Sequence, residues 1–343
     1  MDNQPTGAAS PSPSSPPTVL VTGATGFLGA NLVAGLNALG YPVRALHRRT
    51  SRFDGLEGLE YEPVLGDLLD PASLRAAMEG VDWVFHAAAV ADYWRTPPEI
   101  LYRVNVEGTR HVMAIALESG VRRVVFTSSV AALGVPPDDR PLNEEATFNL
   151  PPHRFPYGHS KHLAEQIVQV FVTRGLEAVI VNPAVIIGPR DHHFISGSLI
   201  RAVYRRQVPV APPGGTNYVA VEDVVAGHLA AIQRGRPGER YILAGENLTY
   251  REMFRIVAEV VGVPPPRWTL PRPLVGPLAL AVDLLNRVWP GHLPIDGNQI
   301  RLSGRFLYFD GSKARQELGL GPPTPFREAV RAAFQWYREH GDL

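Results

Sequence analysis

Tyr157 and Lys161 stand four residues apart at the start of a helical pattern carried by Leu163, Ile167, Val170 and Phe171. That spacing puts both side chains on one helix face. An ammonium one turn from a phenol favours the phenolate and brings a tyrosine from its usual pKa of about 10 toward neutral pH. Such a tyrosine can serve as a general acid or base. The spacing alone is common by chance. Its setting raises its weight, because an apolar run over 121–130 ends nearby in the hydroxyls of Thr127, Ser128 and Ser129. Parallel α/β sheets bind ligands beyond the carboxyl ends of their strands. A Ser129 hydroxyl there can hydrogen-bond the same substrate oxygen as Tyr157.

These groups need a reaction partner held in place, and the start of the chain offers a site for one. Residues 18–29 read TVLVTGATGFLG. Val19, Leu20 and Val21 suit a buried parallel strand. Gly23, Gly26 and Gly29 follow at equal spacing, and Phe27, Leu28, Leu32, Val33, Leu36 and Leu39 then fall on a helical period. Strand, glycine turn and helix together present helix N-terminal N–H groups to an anion. Gly23 permits the tight turn, Gly26 lets backbone approach a pyrophosphate, and Gly29 lets the helix pack close to the sheet.

Val43–His47 is expected to be the second strand, whose end meets the adenosine ribose in a dinucleotide site. An acid there would bond the 2′-hydroxyl and repel a 2′-phosphate. The chain instead carries His47, Arg48 and Arg49, with Arg52 close behind. Guanidinium groups suit a phosphate, so NADP(H) is favoured and NAD(H) stays possible. A third strand is expected over 61–65, ending in Gly66, Asp67 and Leu68, with Asp67 able to accept from an adenine amino group. A helix over 71–79 with Asp70 as its N-cap follows. A fourth strand over 81–86 opens into Ala87, Ala88 and Ala89, small enough for a flat ligand to lie against the backbone. One long helix is expected over 100–120, where the amide of Asn105 needs hydrogen-bond partners. This alternation predicts a parallel sheet.

The loop over 91–98 offers Tyr93 and Trp94 either as substrate contacts or as cover for a helix end, and the proline-rich loop over 134–156 is a candidate lid. A strand over 179–185 carries Pro183. Asp191, His192 and His193 are adjacent, but no further ligand cluster lies nearby, and no metal is expected. Arg201, Arg205 and Arg206 read as a solvated helix face, with a substrate diphosphate site as the alternative. Asp223 is expected to cap a helix, residues 240–248 to form a small strand and turn, and Thr249 to cap a helix over 250–261. Residues 274–289, LVGPLALAVDLLNRVW, are too short for a membrane span and are interrupted by Pro277, Asp283 and Arg287. They read as an amphipathic helix packed on the body or lining a pocket, with contact to a membrane surface as the alternative.

At 343 residues the chain can bury a sizeable core, as about two domains or one large α/β domain with a cap. Its 33 basic and 33 acidic residues cancel, which gives no overall pull toward nucleic acid. It has no cysteine, so disulfides, thiol catalysis and cysteine-ligated metal clusters are excluded. Residues 1–17 are rich in proline and serine and read as a disordered tail. They lack the basic and apolar regions of a signal peptide, and a cytoplasmic location is expected.

The segments GATGFLG, GDL, HAAA, VNVEGT, FTSS, YGHSK and NPAVIIGPRD occur in this order. On them the chain resembles the extended short-chain dehydrogenase/reductases, also called the NAD-dependent epimerase/dehydratase family, over about residues 18–340. GRPGERYILAGENLTYREMF and FDGSKARQELG are similar to hopanoid-associated sugar epimerases, which with the dihydroflavonol 4-reductase group are the nearest branches. The resemblance implies an α/β fold, a Rossmann-type doubly wound parallel sheet with a smaller C-terminal α/β substrate lobe. Residues 18–185 would form the dinucleotide-binding domain and 186–343 mainly the substrate lobe, with 218–245 returning to the core. It implies that Ser129, Tyr157 and Lys161 are catalytic. Gly23, Thr25, Gly26, Phe27, Leu28 and Gly29 would hold the pyrophosphate, Arg48 the 2′-phosphate, and Asp67 and Leu68 the adenine. Ala87, Ala89, Asn105, Thr127, Tyr157, Lys161 and Pro183 would complete the cofactor site. A homodimer is implied as well.

The leading expectation is an NADP(H)-dependent oxidoreductase that reduces a carbonyl, or oxidises a secondary alcohol, by hydride transfer. Tyr157 would exchange a proton with the substrate oxygen. A nucleotide-sugar epimerase or dehydratase with transient hydride transfer is the alternative, and a non-catalytic NADP-sensing protein is a third reading. His47 stands where many epimerases of the family carry Asp, which favours an exchangeable cofactor. The expected partner is a small-molecule substrate, with no nucleic acid and no membrane span.

Overall fold

A computed structural model of the chain describes residues 16–91, 96–138, 140–192, 194–289, 295–341 and 343. Tyr93, Trp94, His193 and nearly all of the N-terminal tail lie outside the described residues. The strands are β1 (Val19–Thr22), β2 (Val43–His47), β3 (Glu62–Leu65), β4 (Trp83–His86), β5 (Arg123–Thr127), β6 (Ala178–Pro183), β7 (Val185–Ile187), β8 (Val210–Ala211), β9 (Gly215–Ala220), β10 (Arg240–Leu243), β11 (Glu246–Thr249), β12 (Trp268–Thr269) and β13 (Phe306–Leu307). The helices are α1 (Phe27–Ala38), α2 (Pro71–Met78), α3 (Pro98–Tyr102), α4 (Gly108–Glu118), α5 (Pro156–Val172), α6 (Gly197–Tyr204), α7 (Val221–Arg234), α8 (Tyr250–Val261), α9 (Val275–Val288), α10 (Gly297–Ser303), α11 (Ser312–Leu318) and α12 (Phe326–Glu339).

Seven strands form one parallel sheet in the order β10-β6-β5-β4-β1-β2-β3. Alternate residues of its central strands serve opposite faces, as a period of two requires. Val19, Val21, Phe85, Val125, Val179 and Val181 pack with α1, α7 and α11. Leu20, Val84, Val124, Phe126 and Ile180 pack with α2, α4 and α5 on the other side. Both faces are buried, which is why these strands read as continuous apolar runs. Strand order reverses between β1 and β4, and the crevice at that switch is where such folds bind ligands. A smaller sheet, β11-β9-β13 with β7 on β9, carries α6, α8 and α12 around a separate apolar core. The architecture is the Rossmann-type sheet with a smaller C-terminal lobe.

Several local expectations are corrected. The helix over 100–120 is interrupted by a π-helical turn at Arg103–Glu107, between α3 and α4. The wider turn carries the buried amide of Asn105, which bonds the Val90 backbone. The strand over 121–130 stops at Thr127, because Ser129 accepts from the Ala131 N–H and starts a 3₁₀ turn, Val130–Leu133. The strand over 179–185 divides near Ala184: β6 stays in the main sheet, while β7 pairs with β9 in the small one. Within 240–248, β10 is the edge strand of the main sheet rather than a small separate strand. Asp223 does not cap its own helix: Ala220 holds that position, and the carboxylate accepts from the Thr324 N–H and hydroxyl at 2.7 and 2.9 Å. Asp70 and Thr249 do act as N-caps, the latter in a capping box with Glu252.

Candidate functional site

A cleft of about 980 Å³ runs along the carboxyl ends of the main-sheet strands, at the top of the usual range of roughly 300–1,000 Å³ for ligand sites. One end holds His47, Arg48 and Ser51, and the middle holds Gly23, Thr25, Gly26, Phe27, Leu28 and Gly29. Asp67, Leu68, Ala87 and Ala89 form a side wall. Thr127, Ser129, Tyr157, Lys161 and Pro183 stand at the inner end. The structure thus gathers nearly all the sequence-selected residues around one space. Asn105 is the exception among those described. Its Oδ1 accepts from the Val90 N–H at 2.8 Å, and its Nδ2 donates to the Val90 carbonyl and Ser160 Oγ. It ties the segment after β4 to α5 from behind the cleft wall.

The glycine turn is built for close approach. Gly23 has φ of 71°, and a Cβ there would fall 2.7 Å from the Ala88 backbone. A Cβ on Gly29 would lie 2.0 Å from the Gly23 carbonyl. No side chain caps the start of α1, whose N-cap is Gly26. The first-turn N–H groups therefore lack a side-chain acceptor and meet the cleft, an arrangement suited to a pyrophosphate. Arg52 is paired with Asp54 at 2.8 Å. Arg48 is exposed, and its guanidinium has no partner among the described residues. A dinucleotide with its phosphates on α1 fits these residues.

At the inner end, α5 holds Tyr157 and Lys161 on one face. Lys161 is 1 % exposed and donates to the Thr127 carbonyl at 2.7 Å, with its ammonium 4.4 Å from the Phe126 ring centre. Burial pulls its pKa from 10.5 down to about 7, and the Glu165 carboxylate opposes that fall. Glu165 lies one further turn along α5 and was not singled out in the sequence, although its four-residue step from Lys161 was visible. It accepts from Ser128 Oγ at 2.5 Å, Asn182 Nδ2 at 2.6 Å and Arg240 at 3.2 Å. Ser128 borders the cleft, but its hydroxyl is thereby committed to Glu165. Ser129 accepts from the Ala131 N–H at 3.2 Å, which leaves its own proton to donate.

His86, in the HAAA segment, is a second residue without a role in the sequence reading. Burial drives its pKa down to about 3, so it is neutral at physiological pH. Its ring nitrogens bond Thr22 Oγ1 at 2.8 Å and Thr109 Oγ1 at 3.1 Å, joining β1, β4 and α4. The far side of the cleft is apolar, with Val135, Phe148, Phe155, Ile186, Leu302 and Phe309. Asp191 accepts three backbone N–H bonds from Ile195, Ser196 and Gly197, and His192 packs its ring on Trp336. Among the described residues no cluster of three potential ligands could hold a metal.

The family model for the NAD dependent epimerase/dehydratase family matches residues 19–244. The chain belongs to that family. It is therefore an NAD(P)-dependent oxidoreductase of the extended short-chain dehydrogenase/reductase type. A Synechocystis protein provisionally named as a dihydroflavonol 4-reductase is 40 % identical to this family member over 94 % of each chain. Sterol demethylase protein B of Methylococcus capsulatus is 40 % identical over 94 % of this chain and 99 % of its own. The crystal structure of gox2253 superposes with a TM-score of 0.84 at 38 % identity, covering 95 % of this chain and 99 % of that one. Other curated relatives are named as reductases and dehydrogenases.

The buried Lys161 gives a pH signature. With its folded pKa near 7, the unfolded chain holds a proton between pH 7 and 10.5 that the folded chain has released. Stability of the cofactor-free protein should then rise with pH across that window, by about 1 kcal/mol per pH unit. Lys161→Met is expected to remove this increment. Urea unfolding of both proteins at neutral and alkaline pH measures the difference, with other titrating groups cancelling. Equal slopes would show that the ammonium is not buried at this cost.

Proposed function

We propose that the protein is an NADP(H)-dependent carbonyl reductase acting on a partly apolar substrate. The observation that carries this reading is the Arg48 guanidinium just after β2, unpaired among the described residues and opening into the same cleft as Tyr157, Lys161 and Ser129. No acid stands at the end of β2 to take a free ribose 2′-hydroxyl. The first turn of α1 would bind the pyrophosphate, and Asp67 and Leu68 the adenine. The bound nicotinamide would supply the hydride that the carbonyl carbon accepts.

The remaining chemistry falls to the protein. Ser129 donates a hydrogen bond that orients the carbonyl oxygen, and Tyr157 delivers the proton that completes the alcohol. Lys161 favours the phenolate left on Tyr157, and solvent returns the proton. The Thr127 carbonyl fixes the position of the Lys161 ammonium. Committing Ser128 to Glu165 supports Ser129 as the orienting hydroxyl. Apolar residues opposite Tyr157 exclude water and suit a hydrocarbon or ring next to the carbonyl. Arg201, Arg205 and Arg206 are absent from the cleft wall, which weighs against a sugar-nucleotide diphosphate bound by these cations.

The test is turnover. Purified protein should consume NADPH with apolar ketones or aldehydes, followed by its absorbance, and release oxidised cofactor at each cycle. Cofactor that stays bound while a nucleotide sugar is isomerised would overturn the reductase reading in favour of an epimerase.

A further inference from the structure

Helix α9 is apolar around most of its circumference yet is covered on only one side. Val275, Ala279 and Val282 face the body, where Ile300 of α10 and Leu270 meet them. The opposite side presents Leu278, Leu280, Leu284, Leu285 and Val288, each 42–68 % exposed. A helix with hydrophobic residues all round is normally buried. Contiguous apolar surface of this kind marks a place where something docks. Two tryptophans frame it: Trp289 ends the helix at 61 % exposed, and Trp268 on β12 is 74 % exposed. No helix among the described residues is long and apolar enough to cross a membrane.

Cations predominate around this face, and the one acid on α9, Asp283, is paired with Arg301. Arg267, Arg272 and Arg287 are exposed, and none is paired with a carboxylate among the described residues. Residues 260–282 contain no acid. The acids that follow are already engaged: Asp283 accepts from Arg301 and the Gly297 N–H, and Asp296 caps α10. The strand β8, which pairs with β12, lies in a stretch over 194–212 that carries three arginines and likewise no acid. The chain as a whole is neutral, so the excess is local. An apolar helix face with tryptophans at its rim and cations around it matches the interface of a bilayer bearing anionic lipid.

We propose that α9 docks this protein on the surface of an anionic lipid bilayer, with Leu280, Leu284 and Val288 inserted at the acyl boundary and Arg267, Arg272 and Arg287 meeting lipid phosphates. The helix lies in the plane of the interface. Its inner neighbour α10 lines the cleft through Gln299, Leu302 and Ser303, so docking places that wall of the cleft one helix away from the lipid. The inference concerns the surface and stands independently of the reaction.

The full chain is sedimented with vesicles of phosphatidylcholine containing about one-third phosphatidylglycerol, and with pure phosphatidylcholine. Binding to the anionic vesicles is expected, about tenfold weaker on the neutral ones and weakened by salt. Leu280→Glu with Leu284→Glu should abolish it, while NADPH binding and melting temperature show that the fold is kept. Arg267→Gln with Arg287→Gln should reduce anionic binding toward the neutral level. A wild-type chain that stays in the supernatant with both vesicles overturns the proposal, as does a leucine variant that binds like wild type. A wild-type dimer turned monomeric by the leucine substitutions, without vesicle binding, assigns the face to a second copy and also overturns it.

Discussion

Tyr157→Phe is expected to lower kcat for carbonyl reduction by about 10³-fold, with the affinity for NADPH nearly unchanged. The substitution removes a single hydroxyl. The ring is 7 % exposed and its packing is kept by phenylalanine, so the fold should be retained. On the proposed mechanism, what is lost is the acid that neutralises the developing alkoxide. Ser129 can still hydrogen-bond that oxygen, but its proton is far too weakly acidic to replace a phenol tuned by Lys161. Water is a poor substitute, since the apolar wall of Phe148, Phe155 and Phe309 restricts its access. The loss should therefore appear in kcat and in kcat/KM alike, as for an interaction made only in the transition state. Cofactor binding, followed by quenching of protein fluorescence, separates this from a disturbed site. A variant retaining full kcat would remove Tyr157 from the chemistry and leave the mechanism without its acid.

The features legible in the sequence were those fixed by neighbours along the chain. The glycine spacing at 23, 26 and 29 announced the turn, because each glycine answers a local demand for a positive φ or a close backbone approach. Tyr157 and Lys161 declared a shared face by being one helical turn apart. The Thr249 N-cap was readable for the same reason. Features set by distant partners were not. Nothing local in NPAVII says that β6 leaves one sheet and β7 enters another, since that division depends on pairing with Tyr218–Ala220. The π-helical turn at Arg103–Glu107 is a one-residue change of hydrogen-bond register, invisible to a period of 3.6. Asn105 was recognised as a buried amide, yet its partners, Val90 and Ser160, come from separate elements. Glu165 joins Ser128, Asn182 and Arg240, and only the assembled sheet brings these four together.

Arg48→Ala is expected to weaken NADPH binding by about 30-fold while leaving NADH binding within about twofold. The asymmetry follows from the proposed placement. The Arg48 side chain lines the end of the cleft beside β2, exposed and with no partner for its guanidinium among the described residues, so its removal costs the fold nothing and can act only through a ligand. A guanidinium bonds a phosphate bidentately and with opposite charge, whereas a 2′-hydroxyl offers it one neutral acceptor. Neighbouring Arg52 cannot readily stand in, because Asp54 already holds it. The companion His47→Asp substitution in the Arg48→Ala background should go further, inverting the preference toward NADH by placing an acceptor for the 2′-hydroxyl that also repels a 2′-phosphate. Dissociation constants for both cofactors with each variant provide the measurement. If Arg48→Ala weakened NADPH and NADH equally, the arginine would be contacting a group common to both cofactors. The assignment of NADP(H) would then lose its principal support.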